Sequence, residues 1–471
     1  MVFSSISFLC CFLPILLAVY YLTPRRFRRL RNDILLCASL GFYAWGGLRY
    51  LPLLLLCICI NYVCGWFAAP AEGRGQGQRK AAVCLAVVAG IGLLFVFKYV
   101  NFFARTLNAV GATVPVPEIV LPIGISFFTF QGLSYVIDVY RGDAKVQKNP
   151  LNVALYIALF PQLVAGPIVR YTTVSEEILD RKESPGLFSE GTVRFCVGLA
   201  KKMVLANGMG KLADVSFSGS PQSLPALLAW MSAIAYTFQI YFDFSAYSDM
   251  AIGLGKMFGF HFDENFNYPY VSTSIREFWR RWHISLSTWF RDYVYIPLGG
   301  NRCSSAKRIR NFTVIWLLTG LWHGANWTFI LWGIWYLLLL LGENYVWGGL
   351  SEKIPKALRY VLTMFAVMLG WVLFRADTVS QAIGMVSAMF GGGNALLNGE
   401  TLYYLRLNIP LFVLCILGAL PVKSLAERFL EAHHARRALL WLPKLWALGM
   451  LLVSYMFLAT GSFNPFIYFQ F

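Results

Sequence analysis

Five histidines in 471 residues are few enough to weigh singly. His323 has the most apolar setting, in the run Trp-Leu-Leu-Thr-Gly-Leu-Trp-His-Gly-Ala-Asn-Trp-Thr-Phe-Ile-Leu-Trp-Gly-Ile-Trp over 316–335. An ionisable group at membrane depth is costly, and is by default functional. Burial keeps an imidazole neutral, which is the state a general base needs. Trp322 and Trp327 could wall it from water, and Gly324 and Ala325 leave room for a ligand. Asn326 lies three residues on, within hydrogen-bond reach if the segment is helical. The plainer alternative is a packing histidine bonded to a neighbouring carbonyl.

His283 falls within 274–293, where Ser274 and Glu277 have the spacing of a helix-start capping box. Ile275, Trp279, Trp282, Leu286, Trp289 and Tyr293 recur at helical spacing. Arg276, Arg280, His283, Ser287 and Arg291 form a second stripe. The pattern predicts one amphipathic, aromatic helix. Such a helix either lies on a membrane surface or dips into the protein and aims cations and an imidazole at an anionic ligand. His261 stands near Asp263 and Glu264, and reads as a loop or helix-end residue with a carboxylate neighbour. His433 and His434, beside Arg436 and Arg437, read as a solvated face.

Asp243 and Asp249 interrupt the apolar stretch Tyr-Phe-Asp-Phe-Ser-Ala-Tyr-Ser-Asp-Met. Their expected work is architectural: binding backbone donors or the arginines of 276–291. Ion or proton translocation is the alternative. There is no P-loop, Gly-x-Ser-x-Gly elbow, nucleotide-binding glycine loop or metal-ligand pair.

The elements holding these residues must be membrane helices. Apolar residues make up 58% of the chain and charged residues 13%, about half the charged share of soluble domains. That composition excludes a disordered chain and argues against an ordinary soluble enzyme. The expectation is an all-α, polytopic protein, one integral domain over 1–471. Apolar runs lie near 6–23, 33–47, 50–69, 81–104, 119–140, 150–168, 190–214, 224–258, 311–346, 355–376, 402–421 and 440–460. Pro122, Pro161, Gly166 and Pro167 break the middle ones. Irregular backbone at that depth is tolerated only inside protein or beside a wet cavity.

The net charge of +17 reflects basic loops at 25–31, 74–80, 302–310 and 423–444, read as cytoplasmic by the positive-inside bias. No nucleic-acid groove is expected. The first charges follow the first apolar run, the reverse of a cleavable leader, so 6–23 reads as a retained helix with its N-terminus outside. The C-terminal tail is expected outside as well. Nine of the ten cysteines lie in or beside apolar runs and read as small buried hydrophobes; only Cys303 is in a polar loop.

These motifs together resemble the membrane-bound O-acyltransferase family, in its bacterial alginate-acetylation branch. The resemblance spans nearly the whole chain. It rests on the opening Met-Val-Phe-Ser-Ser with a Phe-Leu-Pro run, Gly-Ile-Ser-Phe-Phe-Thr-Phe at 124–130, and Gln-Leu-Val-Ala-Gly-Pro-Ile-Val-Arg at 162–170. The Asp243 stretch and both histidine segments complete it. The resemblance implies a ring of tilted helices around a central tunnel, with re-entrant and amphipathic segments. It also implies acyl transfer from a cytoplasmic thioester to a hydroxyl. By that resemblance His283 and His323 are the paired functional histidines, His323 in Trp-His-Gly being the catalytic one.

On that reading His323 removes the acceptor proton, while His283 polarises the carbonyl or holds the donor. Arg276, Arg280 and Arg281 are candidates for binding donor phosphates. Trp322, Asn326, Trp327 and Asp243 are candidates for the tunnel lining. No permanently bound cofactor or metal is expected; acetyl-CoA or another pantetheinyl thioester is the donor substrate. The tail at 463–471, Phe-Asn-Pro-Phe-Ile-Tyr-Phe-Gln-Phe, reads as an aromatic anchor or as a carrier in which the Tyr468 phenol accepts the acyl group. The expected setting is the cell membrane, with the bilayer and an extracytoplasmic esterase-like protein as partners and an envelope polysaccharide as final acceptor. D-alanyl transfer to teichoic acid is the alternative within the family; a transporter or flippase, or a scaffold, is the alternative outside it.

Overall fold

The computed structural model describes residues 2–351, 353–393, 395–432, 436–460 and 466–467. It is 77% helical, with no strand among the described residues. Among the described residues, six segments are long and apolar enough to cross a bilayer: Arg28–Ala68, Gln76–Ala109, Trp327–Tyr345, Lys356–Arg375, Gly399–Ala419 and Trp441–Ala459. They expose large apolar side chains that a soluble protein would cover, such as Leu85, Val88, Leu407, Val413 and Leu452. A helix apolar on all sides belongs in lipid or in a core. The chain is a polytopic helical membrane protein.

The cysteines differ from expectation. Cys57, Cys64, Cys196 and Cys415 are buried, but Cys10, Cys11, Cys37, Cys59 and Cys84 are exposed. The exposed five lie on apolar helices, where the outer face meets lipid and a small apolar side chain loses nothing by facing out. The runs 190–214 and 224–258 are helical but too polar to count among the six spans.

The chain divides into two compact units: Met1–Phe195 with Tyr247–Asp263, and Cys196–Ala246 with Glu264–Phe471. In the first unit the apolar run at 119–140 becomes helix only from Ile125. Gly124 precedes it at φ +77°, and a Cβ there would sit 2.6 Å from the Leu163 carbonyl oxygen, so only glycine fits. The run 150–168 breaks at Leu159 into Pro150–Ala158 and Phe160–Leu163. The Phe160 N–H, freed by that break, donates to the Ser39 hydroxyl at 3.1 Å.

Three members of the basic cluster at 25–31 do more than mark a loop, Arg25 donating to the Glu183 carbonyl at 3.0 Å. Arg28 and Arg31 bind the Glu183 carboxylate at 2.5 and 3.0 Å. Tyr20 donates to the same carboxylate at 2.7 Å, and Arg181 donates to Tyr20 and to the Phe258 carbonyl, both at 3.0 Å. Burial by itself would raise the Glu183 pKa; hydrogen bonds from Arg28 and Tyr20, with the Arg28 charge, outweigh it and hold the group at about 2. In this unit Asp249 pairs with Arg194 at 2.8 Å. His261 meets Glu177 at 2.5 Å on the surface. His433 and His434 lie outside the described residues.

The second unit carries the helix Ala226–Met257 up to Ala246, then a helical hairpin made of Ser305–His323 and Trp327–Tyr345. Two glycines bring the hairpin's helices together. A Cβ on Gly320 would lie 2.5 Å from the Phe329 carbonyl, and one on Gly333 would lie 2.5 Å from that of Trp316. Small residues let backbones approach where no hydrophobic force acts between helices in lipid. Lys356–Arg375 adds Trp371 and Phe374 to the aromatic core.

Candidate active site

The predicted single helix over 274–293 is not continuous. It forms Ile275–Arg281 and Ile284–Phe290, with His283 at the break. The start behaves as its sequence predicts: the Ser274 hydroxyl accepts from the Glu277 N–H at 3.0 Å. Glu277 reaches back to the Thr273 N–H at 2.9 Å, one residue earlier than the standard capping box.

The break has a physical cause in the loop Asn265–Asn267. The Ile284 N–H donates to the Asn265 carbonyl at 3.0 Å, and the Asn267 N–H donates to the Arg281 carbonyl at 2.9 Å. Backbone groups that would carry the helix onward are bonded to the loop instead. His283 takes φ +44°, a left-handed conformation costly for a residue with a Cβ. Its imidazole faces the core of the second unit and is 1% exposed.

Asn265 also fixes the ring. Its Oδ1 accepts from the Ser285 N–H at 3.2 Å and from the Ser285 hydroxyl at 2.9 Å. A backbone N–H can only donate, so this atom is the amide oxygen. His283 Nδ1, 3.1 Å from the same oxygen, must therefore donate to it. Burial pushes the His283 pKa down to about 3, so the ring is neutral at physiological pH. A neutral imidazole with its proton on Nδ1 presents Nε2 as an acceptor or base. It cannot polarise a carbonyl, which needs a donor. Of the two expected roles, the geometry retains holding the donor.

His323 is the last residue of Ser305–His323 and is 4% exposed. Its ring lies 5.0 Å from those of Trp322 and Trp332 and 5.1 Å from that of Phe374, each close to edge-on. The Trp322 ring in turn lies 5.8 Å from that of His283, and the Phe244 ring lies 4.5 Å from it. One tryptophan thus touches both histidines, which are 40 residues apart in sequence.

Several expectations around His323 are corrected. Trp327 is half exposed, and Trp332 and Phe374 stand edge-on to the His323 ring. Gly324 makes no room for a ligand, because a Cβ there would strike the Phe329 ring. The helix ends at His323, so Asn326 is not one turn beyond it. Asn326 instead caps the next helix, accepting from the Thr328 N–H at 3.3 Å and donating to the Asp377 carbonyl at 2.8 Å.

The arginine candidates diverge. Arg276 bonds to Asn344, and Arg281 pairs with Glu277 at 2.9 Å while donating to the Asn267 carbonyl at 3.1 Å. Arg280 is exposed. Asp243, 2% exposed, pairs with Lys202 at 2.5 Å and accepts the Ile467 N–H at 2.8 Å. The arginines of 276–291 are not its partners in these bonds. Tyr468 lies outside the described residues. Sequence reasoning missed Asn265, Lys202, Trp332 and Phe374. Helical spacing brings out stripes within one helix, whereas Asn265, Lys202 and Phe374 reach a histidine or Asp243 from other segments and Trp332 reaches His323 from the next helix of the hairpin.

Comparison with known proteins gives this constellation a context. The membrane-bound O-acyltransferase family model matches residues 144–377, which include both histidines and Asp243. The chain is 46% identical over 399 residues to the "Probable alginate O-acetylase AlgI" of Azotobacter vinelandii, covering 84% of this chain and 79% of that protein. It is 40% identical to the protein of the same name from Pseudomonas putida, over all of both chains. It is 32% identical to a peptidoglycan O-acetyltransferase of Helicobacter pylori, over 100% of this chain and 98% of that one. A matching family model and full-length relatives at this identity settle the class: the chain belongs to the membrane-bound O-acyltransferase family and is an O-acyltransferase.

Proposed function

We propose that this enzyme moves an acetyl group from a cytoplasmic pantetheinyl thioester, acetyl-CoA, toward hydroxyls of an extracytoplasmic envelope polysaccharide. The observation that carries the reading is the pair of buried histidines joined through Trp322. Relatives named for O-acetylation of alginate and of peptidoglycan support the acetyl group and the polymer class.

In the proposed step His323 takes the proton of the attacking hydroxyl. The oxygen forms a C–O bond to the acetyl carbon, the C–S bond breaks, and the electron pair leaves with the sulfur. The imidazolium then returns its proton to the thiolate, so charge and protons balance. His283 Nε2 accepts a hydrogen bond from an N–H of the pantetheine arm and holds the donor. Trp322, Trp332 and Phe374 keep water from the reacting carbonyl and suppress hydrolysis. Arg280 is free of the caps that engage Arg276 and Arg281, and is the arginine best suited to a donor phosphate.

Tyr468 is the first acceptor in this reading. Its phenol attacks the thioester, and the aryl ester passes the acetyl group to the nucleophile of an extracytoplasmic esterase-like partner at the cell's inner membrane. Phe466 and Ile467, directly before it, are buried in the same unit as the histidines, which supports a tail that works there. Isolated membranes given acetyl-CoA labelled in the acetyl group test the reading. Label should enter base-labile esters on polymer and an acetyl-tyrosine peptide containing residue 468. Label that enters neither refutes it, and undiminished polymer acetylation in Tyr468→Phe refutes the tyrosine route.

A further inference from the structure

The ion pair of Lys202 and Asp243 is completed by a part of the chain more than two hundred residues away. Lys202 Nζ donates to Asp243 Oδ1 at 2.5 Å, and both side chains are almost wholly buried. The Ile467 backbone N–H donates to the other oxygen, Oδ2, at 2.8 Å. The Phe466 ring lies 4.3 Å from Lys202 Nζ, in a cation–π contact. Phe466 and Ile467 are themselves 3% and 7% exposed. A buried carboxylate needs hydrogen bonds to both oxygens, and a buried ammonium needs more than one partner. Lys202 and Asp243 each obtain one such contact from the other and one from the tail.

We propose that Lys202 and Asp243 are positioning residues that anchor the C-terminal tail beside the histidine pair. The place of the anchor gives the reason. Asp243 directly precedes Phe244, whose ring is 4.5 Å from that of His283. The anchored amide belongs to residue 467, whose Cα is about 3.8 Å from that of residue 468. Recognition falls on the main-chain N–H of Ile467 and the aromatic face of Phe466. The proposal rests on the carrier reading for what the tail delivers, but not for where it is held.

The test is intramolecular photocrosslinking in the full-length protein in membranes, with p-benzoylphenylalanine placed at position 466. Irradiation should join the tail peptide to peptides containing Lys202 or Asp243. In Lys202→Met/Asp243→Leu, which removes both charges and so avoids a lone buried ion, crosslinking should fall about tenfold or more, as expected for loss of a charge-assisted bond. Lys202→Met/Asp243→Asn, which also removes both charges but keeps an acceptor oxygen for the Ile467 N–H, should retain more of it than Lys202→Met/Asp243→Leu. Lys202→Met/Asp243→Leu should also lower kcat for polymer acetylation, measured per folded molecule so that an inactive fraction does not count, while leaving KM for acetyl-CoA unchanged. No crosslink in the parent protein, or one undiminished in Lys202→Met/Asp243→Leu, overturns the anchor. Crosslinking that behaves as expected while Tyr468→Phe acetylates polymer normally leaves the anchor standing and removes the carrier reading.

Discussion

Asn265 and His283 stand 18 residues apart, yet the 3.1 Å contact between Asn265 Oδ1 and His283 Nδ1 decides which ring nitrogen carries the proton. The same oxygen takes the Ser285 N–H, so the amide cannot be turned round without losing that bond. Asn265→Leu should therefore lower kcat about tenfold or more, from loss of a buried, orienting hydrogen bond. Steady-state kinetics at equal amounts of folded protein would show it. Unchanged kcat would mean that the tautomer is irrelevant.

Asn265→Asp tests the same contact from the opposite side. A carboxylate beside His283 favours the imidazolium and raises its pKa from about 3. The acid limb of the kcat profile should move to higher pH, because more enzyme holds a protonated ring at any given pH. A limb that stays in place would show that His283 does not take part as a neutral group.

The depressed His283 pKa also predicts a direction for stability. The folded value is about 3 and the ordinary value 6.5, so between them the unfolded chain binds the extra proton. Stability should be complete above about pH 6.5 and fall by about 1.4 kcal/mol per pH unit below it. Thermal unfolding in detergent from pH 7 to 4 should show the decline, and His283→Gln should flatten it.

Glu183 should act at a lower pH. Its folded value of about 2 lies below the ordinary 4.5, so its contribution is present above pH 4.5 and is lost as pH falls toward 2. Glu183→Gln leaves Arg28, Arg31 and Arg181 without their shared carboxylate. The expected cost is about 3–5 kcal/mol at neutral pH, as for breaking a buried ion pair from one side. Unfolding midpoints measured at pH 7 check this.

The hairpin that ends in His323 depends on close backbones. Gly320→Ala puts a Cβ 2.5 Å from the Phe329 carbonyl, which is main chain and cannot swing aside. We expect about 1–3 kcal/mol of destabilisation, together with a loss of activity from displacement of His323. Leu318→Ala, on the partly exposed face of the same helix, should have much less effect on either measurement.

Much of this was legible in the sequence. The scarcity of charge and the apolar runs specify a polytopic helical protein, and the apolar run of tryptophans around His323 agrees with the ring's burial among Trp322, Trp332 and Phe374. The capping pair Ser274 and Glu277 correctly marks a helix start. What spacing cannot show is where distant main chain competes for hydrogen bonds. The stripe through Arg276, Arg280 and His283 assumes one helix, and the loop at Asn265–Asn267 breaks it. Gly324 looks like open space only until Phe329 folds back onto it. Asp243 signals a partner by its buried setting, but its lysine and its tail amide come from 41 and 224 residues away.

The central claim is that His323 is the base for acyl transfer. Its most direct test is the polymer ester content of cells producing His323→Ala at the parent's level of folded membrane protein. Loss of a general base predicts a fall of about a hundredfold or more, with binding of acetyl-CoA retained. Ester content equal to the parent's would contradict the account.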